Sequence, residues 1–182
     1  MFTCKASLVG LVVATATLMH AATAHAEQPK RRSNGGTKYP AAVGSATRQK
    51  VTNFTRDGAN SSGSYASKAG HVNAYVYPAR APYSPSLPLH FEQCRREIRM
   101  LWARPRTISR RSISISRNGR QYPGMEEVFS GAPLGRGESV STLAVFKAND
   151  RYVKFRITSP KALRAQQASQ LAAFIQKFPF PQ

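Results

Sequence analysis

Cysteine is scarce in this chain of 182 residues, which contains only Cys4 and Cys94. Cys4 lies in an N-terminal segment that we predict to be removed, so Cys94 would remain alone. A single cysteine excludes an intramolecular disulfide, even in a compartment that permits one. We therefore expect an apolar core, without cross-links, to hold the fold together.

Acidic residues and histidines are also few: 8 Asp and Glu and 4 His stand against 27 Lys and Arg. Glu126 and Glu127 are adjacent, so on a strand they would face opposite sides and could not act as a paired acid and base. After the leader only His71 and His90 remain, and they lie in different elements without ligand spacing. We predict no metal site.

No catalytic motif stands out either. The chain lacks a Gly-x-Ser-x-Gly nucleophile elbow, a dinucleotide-binding loop and a phosphate loop. His90 lies four residues before Cys94 and could act as its base. However, Cys94 falls on the apolar stripe of a predicted helix, where burial makes a thiol inert. The sequence therefore predicts a protein that is not an enzyme and has no cofactor.

Long apolar runs are absent. The uncharged stretch from Ala6 to Met19 is shorter than the ~20 residues needed to cross a bilayer. It follows Lys5 and precedes Ala24-His25-Ala26, a small-x-small cleavage pattern. This order is typical of a secretory signal peptide rather than a membrane anchor. We predict cleavage after residue 26 and an exported protein, periplasmic or secreted, with no transmembrane segment in the mature chain.

The mature chain would consist of a short arm and one domain. Residues 27–38 are polar and basic without apolar periodicity, which indicates a disordered arm or an inert spacer. Residues 39–182 suit a single α+β domain. Loss of Lys5 lowers the formal net charge from +19 to near +18.

Periodicity predicts the elements of that domain. Helices are predicted at 89–102, with Phe91, Cys94 and Ile98 on one face, and from Ser159-Pro160 to about Phe178. Strands are predicted at 47–54, from Tyr65, at 71–77, at 112–117, after Arg120, at 125–129, at 139–147 and at 152–158. Turns are predicted at Asn118-Gly119 and at 131–137. The sum is an α+β fold: a curved antiparallel sheet of about six or seven strands packed with two amphipathic helices.

Three short stretches carry a resemblance. They are Tyr39-Pro40-Ala41-Ala42-Val43 with Arg48, Val76-Tyr77-Pro78 ahead of a helix with His90-Phe91-Glu92, and Tyr152-Val153-Lys154-Phe155-Arg156. In these the chain resembles a group of uncharacterised exported bacterial proteins, and beyond them the α/β/α sandwich of the extrinsic photosystem II P-type subunits. The resemblance covers roughly residues 39–178. It implies a sandwich and a non-enzymatic, accessory role, and it supplies no catalytic residues.

Arginine is unusually dense in one segment. Nine arginines fall within 26 residues, opposed there by Glu97 alone. They are Arg95, Arg96, Arg99, Arg104, Arg106, Arg110, Arg111, Arg117 and Arg120. Arginine suits bidentate contact with phosphate or carboxylate. The alternative is a solvated face in a chain that is basic throughout. Within the first predicted helix, Glu92 lies four residues before Arg96, which predicts a favourable ion pair.

These features predict a non-catalytic exported accessory protein whose arginine-rich patches bind an acidic partner or surface. The partner class stays open: an acidic protein, a polysaccharide, lipid head groups or nucleic acid. A second hypothesis is binding to extracellular nucleic acid, with Tyr75, Tyr77 and Tyr152 as stacking faces. A hydrolase is the third, although acids and histidines are too few to favour it. The sequence does not indicate an oligomeric state.

Overall fold

The structure is a computed structural model that describes residues 37–133 and 137–181. The predicted leader and residues 27–36 of the predicted arm lie outside this part of the chain. Within it, no helix is long and apolar enough to cross a membrane.

Eight strands and two α-helices make up the described part of the chain. The strands are β1 (Ala42–Val43), β2 (Ala46–Asn53), β3 (Ser61–Ser67), β4 (Gly70–Pro78), β5 (Trp102–Arg117), β6 (Arg120–Pro133), β7 (Ser139–Ala148) and β8 (Arg151–Pro160). The helices are α1 (Leu87–Met100) and α2 (Arg164–Lys177), the latter preceded by a 3₁₀ turn at Lys161–Leu163.

All eight strands form one antiparallel sheet in the order β1-β2-β3-β4-β8-β7-β6-β5. Strands β1 to β4 follow one another across half of the sheet, and β8 to β5 fill the other half. The predicted α+β class is confirmed, with eight strands instead of six or seven. The two-residue strand β1 was not predicted, because it is too short to show alternation.

One face of the sheet packs against α2. Val153, Phe155 and Ile157 of β8 point to this side, as do Val72, Ala74 and Val76 of β4. Phe155 lies edge-on to Phe174 of α2 and to Phe178 just beyond it. Period-two alternation in the strands thus meets the apolar stripe of a helix, as the sequence predicts.

The opposite face packs against α1. Phe91, Cys94 and Ile98 of the helix are buried against Phe129 of β6 and Leu143 of β7. Because α1 and α2 cover opposite faces, the molecule is an α/β/α sandwich, the architecture that the sequence resemblance implies.

Several predicted boundaries shift. Helix α1 ends at Met100, because the buried Trp102 already belongs to β5 and packs in the α1 core. Helix α2 begins at Arg164 rather than at Ser159-Pro160, since Ser159 still pairs with Val140 in the sheet.

The β5–β6 hairpin is also longer than predicted. Strand β5 begins at Trp102, ahead of the predicted 112, and β6 continues to Pro133, into the predicted turn. Irregularities between Ala103 and Arg106 and between Thr107 and Ser109 interrupt the alternation that marks a strand in the sequence. The predicted turn at Asn118-Gly119 is confirmed: both residues have positive φ, 49° and 74°, and Arg117 pairs with Arg120.

Candidate functional site

The nine clustered arginines occupy one edge of the sandwich. Three lie on α1, five on the edge strand β5, and Arg120 begins β6. The register divides those on the hairpin between two faces. Arg110, opposite Glu127, faces α1, whereas Arg111, opposite Glu126, faces the α2 side. We call this region the α1–β5 edge. Its arginines point to both faces of the sheet.

Two of the nine are tied into a carboxylate network beneath α1. The Glu127 side chain is fully buried, accepts a 2.6 Å hydrogen bond from Thr107 Oγ1, and contacts the Arg95 guanidinium with both carboxylate oxygens. Arg95 also contacts Glu92, and Glu92 Oε1 lies 2.6 Å from Arg110 Nη2. Glu92 thus pairs with Arg95 and Arg110; the predicted pair with Arg96 is wrong, because the sheet supplies a nearer cation.

This network serves the fold. Burial alone would lower the pKa of Arg95, but its hydrogen bonds to Glu127 and Glu92 outweigh that effect and raise the pKa. Arg110 also lies 5.5 Å above the Phe91 ring. Arg95 and Arg110 therefore connect α1 to the β5–β6 hairpin through ion pairs within the chain.

Two more arginines, Arg111 and Arg117, lie on the α2 side of the β5–β6 hairpin. Arg111 pairs with Glu126 across the hairpin at 2.8 Å. Arg117 donates to the carbonyl oxygen of Ile175 at 2.9 Å and to Gln176 Oε1 at 3.1 Å, at the C-terminal end of α2. A cation there satisfies helix carbonyls that have no partner within the helix. Arg117 thereby links the hairpin to α2.

The remaining five arginines are exposed and form no ion pair with any residue that the structure describes. They are Arg96, Arg99, Arg104, Arg106 and Arg120. Arg99 has only a 3.4 Å contact with Thr107 Oγ1. These five are the part of the predicted cluster that is available to an external anion.

A separate polar cluster is buried under α1. Tyr77 Oη lies 2.7 Å from His90 Nε2, which is 3.5 Å from Cys94 Sγ. His90 Nδ1 lies 3.1 Å from Gln93 Oε1, and the imidazole stacks on Tyr152 at 4.1 Å. The predicted His90–Cys94 proximity is present, but Tyr77 also contacts the nitrogen that would act as the base.

Burial keeps this cluster neutral. The exposed fractions of His90 and Cys94 are 2% and 1%. Desolvation lowers the pKa of His90 and raises that of Cys94, so the imidazolium–thiolate pair that catalysis needs is disfavoured. The cluster is a satisfied structural contact between α1 and the sheet.

The same burial corrects the nucleic-acid stacking hypothesis. Tyr77 and Tyr152 have exposed fractions of 4% and 0%, so neither ring can stack on a base. From the strand alternation, both side chains were predicted to face away from the core. In the structure α1 covers that side of the sheet and buries them. Among the described residues, no group of three or more His, Cys, Asp or Glu side chains could hold a metal.

Comparisons with known proteins give fold likenesses and no family. No family model and no curated protein matches the chain. A Pseudomonas aeruginosa protein of unknown function with a suggested regulatory role matches 64% of this chain and 78% of its own, with 8% identity and a TM-score of 0.48.

Two further solved structures are similar to the chain. The Ran-binding protein Mog1p of Saccharomyces cerevisiae shares 11% identity at a TM-score of 0.43, covering 75% of this chain and 96% of its own. Cyanobacterial PsbP (CyanoP) from Synechocystis shares 8% at 0.46, covering 80% and 98%. The last belongs to the P-type group that the sequence resembles. At these values the likenesses assign no partner or activity.

Replacing Glu127 by Gln should lower the free energy of unfolding by about 1–3 kcal/mol, because a fully buried position loses its charge-assisted bonds to Arg95, which keeps only the partly exposed Glu92 as a carboxylate partner. Glu138→Gln is the matched control: its ion pair with Lys161 is exposed, so the change should stay within about 0.5 kcal/mol. Urea unfolding followed by circular dichroism measures both. Equal, small losses in the two variants would mean that the buried network contributes no more to the free energy of unfolding than an exposed ion pair does.

Proposed function

We propose that this chain is an exported, non-catalytic accessory protein that binds an acidic partner through the five unpaired arginines of the α1–β5 edge. The observation that carries the proposal is the local shortage of acid. Glu92 is occupied by Arg95 and Arg110, and Glu97 lies 3.4 Å from Lys154 Nζ. Glu138, whose charge reaches Arg106, is paired with Lys161. The exposed arginines therefore present positive charge that forms no ion pair among the described residues.

Arginine suits this role because its planar fork binds a carboxylate or phosphate through two hydrogen bonds. The arrangement also has a structural use, since charge on an edge strand prevents sheets from pairing edge to edge. Any cation at any edge position would serve that second purpose. The two roles are separated by measuring anion affinity and self-association on the same variants.

The binding test compares two triple variants of equal charge. Arg96→Gln/Arg99→Gln/Arg106→Gln removes three cations from the α1–β5 edge, whereas Arg56→Gln/Arg80→Gln/Arg164→Gln removes three exposed cations elsewhere. We expect the edge variant to lose most affinity for heparin. Its slope of log K against log salt should become shallower by about 2, at somewhat under one per lost contact. The control should change by less than about 1.

Two outcomes would contradict the proposal. If both triple variants lose affinity equally, binding depends on total charge and not on this edge. If the edge variant binds heparin normally but self-associates in sedimentation experiments, its arginines protect the edge strand and do not recognise a partner. Duplex DNA in a parallel titration tests the nucleic-acid alternative, which predicts tighter binding to DNA than to heparin at equal salt.

Export is part of the proposal and rests on the sequence of the N-terminal segment. On expression of the full chain in a bacterium, we expect the protein in the periplasm or the medium, with a mass that corresponds to a chain beginning at Glu27. Replacing Ala24 and Ala26 together by bulky residues should block processing, because the cleavage site requires small side chains. An untrimmed, soluble chain in the cytosol would refute the export part of the proposal.

A further inference from the structure

The sheet face that packs against α1 is only partly covered by it. The helix lies over β5, β6 and β7, and its His90 contacts Tyr77 of β4 and Tyr152 of β8. On the neighbouring strands the same face carries half-buried polar side chains. They are Thr52 of β2, Ser62 and Ser64 of β3, and Asn73 and Tyr75 of β4. We call these five residues, together with Arg156 of β8, the open polar face.

Arg156 lies at the border of this face, next to the part of the sheet that α1 covers. It pairs with Asn73 on one side and with Leu143 on the other, so its side chain stands on the surface beside α1. The residue is half-buried, and burial lowers the pKa of its guanidinium. A cation in such a place is normally paired with a carboxylate.

Arg156 has no such partner among the described residues. Its Nε donates to Ser141 Oγ at 3.3 Å, and its other four N–H groups have no acceptor in that part of the chain. Glu97, the acid whose charge reaches Arg156, lies against Lys154. A half-buried guanidinium fork is thus held by the sheet with its donors available.

The side chains around it can recognise hydroxyl groups. Serine, threonine and asparagine side chains both donate and accept hydrogen bonds, as a sugar hydroxyl requires of its partners. Tyr75 adds an aromatic ring, with Lys154 Nζ 4.7 Å from its centroid. Nucleic acid fits less well, because its phosphates recur along the chain and need a row of cations and several stacking rings.

We propose that the open polar face binds an acidic polysaccharide, with Arg156 holding the carboxylate of one uronate residue and the surrounding hydroxyl and amide side chains contacting its hydroxyls. This site is separate from the α1–β5 edge and does not depend on the function proposed for that edge. It differs in kind as well: one half-buried guanidinium among neutral polar groups recognises a single carboxylate, whereas the edge offers five exposed guanidinium groups.

The test uses trigalacturonate as the probe and calorimetric titration of the purified protein at moderate salt. Arg156→Gln should weaken binding by at least about tenfold, since a charge-assisted bidentate contact is lost. Arg156→Lys keeps the charge without the planar fork, so its affinity for trigalacturonate should lie between that of Arg156→Gln and that of the unaltered protein. Arg164→Gln, an exposed arginine of α2, is the matched control and should bind as the unaltered protein does.

Unaltered thermal unfolding of the Arg156 variants shows that the fold is intact; if Arg156→Gln unfolds, Arg156→Lys alone decides. A neutral galactose trimer should bind at least about tenfold more weakly than trigalacturonate if the carboxylate is recognised. Equal affinity of Arg156→Gln and the unaltered protein would overturn the proposal. So would equal affinity for inorganic phosphate and trigalacturonate. Loss of trigalacturonate binding in the α1–β5 edge triple variant alone would move the site to that edge.

Discussion

The pairing of β4 with β8 is the constraint on which the rest of this structure depends. It joins residues His71 to Pro78 with Thr158 to Arg151 in an unbroken antiparallel register. Strands β1 to β4 are contiguous in sequence, as are β5 to β8, and this ladder makes them a single sheet. The paired strands lie some eighty residues apart in sequence. Forming the ladder therefore closes a long loop, and contacts made later must offset the entropy that this closure costs.

Strand β8 also links the two cores and the polar surface. Val153, Phe155 and Ile157 fill the α2 core, and Tyr152 fills the α1 core. Lys154 and Arg156 lie on the same side as Tyr152: Lys154 pairs with Glu97 of α1, and Arg156 belongs to the open polar face. One strand therefore fixes where the buried face ends and where the open polar face begins, and the α1–β5 edge lies three strands away.

Regular local patterns made much of this predictable. Strand β4 and the β7–β8 hairpin alternate strongly, and their predicted limits agree with the structure within about two residues. The start of α2 was not predictable, because Ser159-Pro160 has the local form of a helix start while the sheet retains both residues. The first half of β5 was not predictable either, because its irregular pairing with β6 interrupts the alternation of its side chains.

The site shows the same division. The density of arginine is visible in the sequence, but not that Arg95, Arg110, Arg111 and Arg117 stabilise the fold, because their partners come from other elements. Glu127 gave no signal of burial either, since an isolated acid in a strand is usually exposed. The role of Gln167 was equally hidden: it is buried and bonds to Val140 O at 2.7 Å and to Thr142. Long-range pairing decides all of these.

Amide hydrogen exchange under native conditions tests the central constraint most directly. If the β4–β8 ladder unites the sheet, the amides of β4 and β8 that bond across it should exchange only through global unfolding, at the free energy that urea unfolding gives. Amides of the edge strand β5 should exchange faster. The account would be contradicted if the amides that bond between β4 and β8 exchanged as fast as those of β5 while the amides that bond among β6, β7 and β8 stayed protected. In that case the two halves of the sheet would open independently.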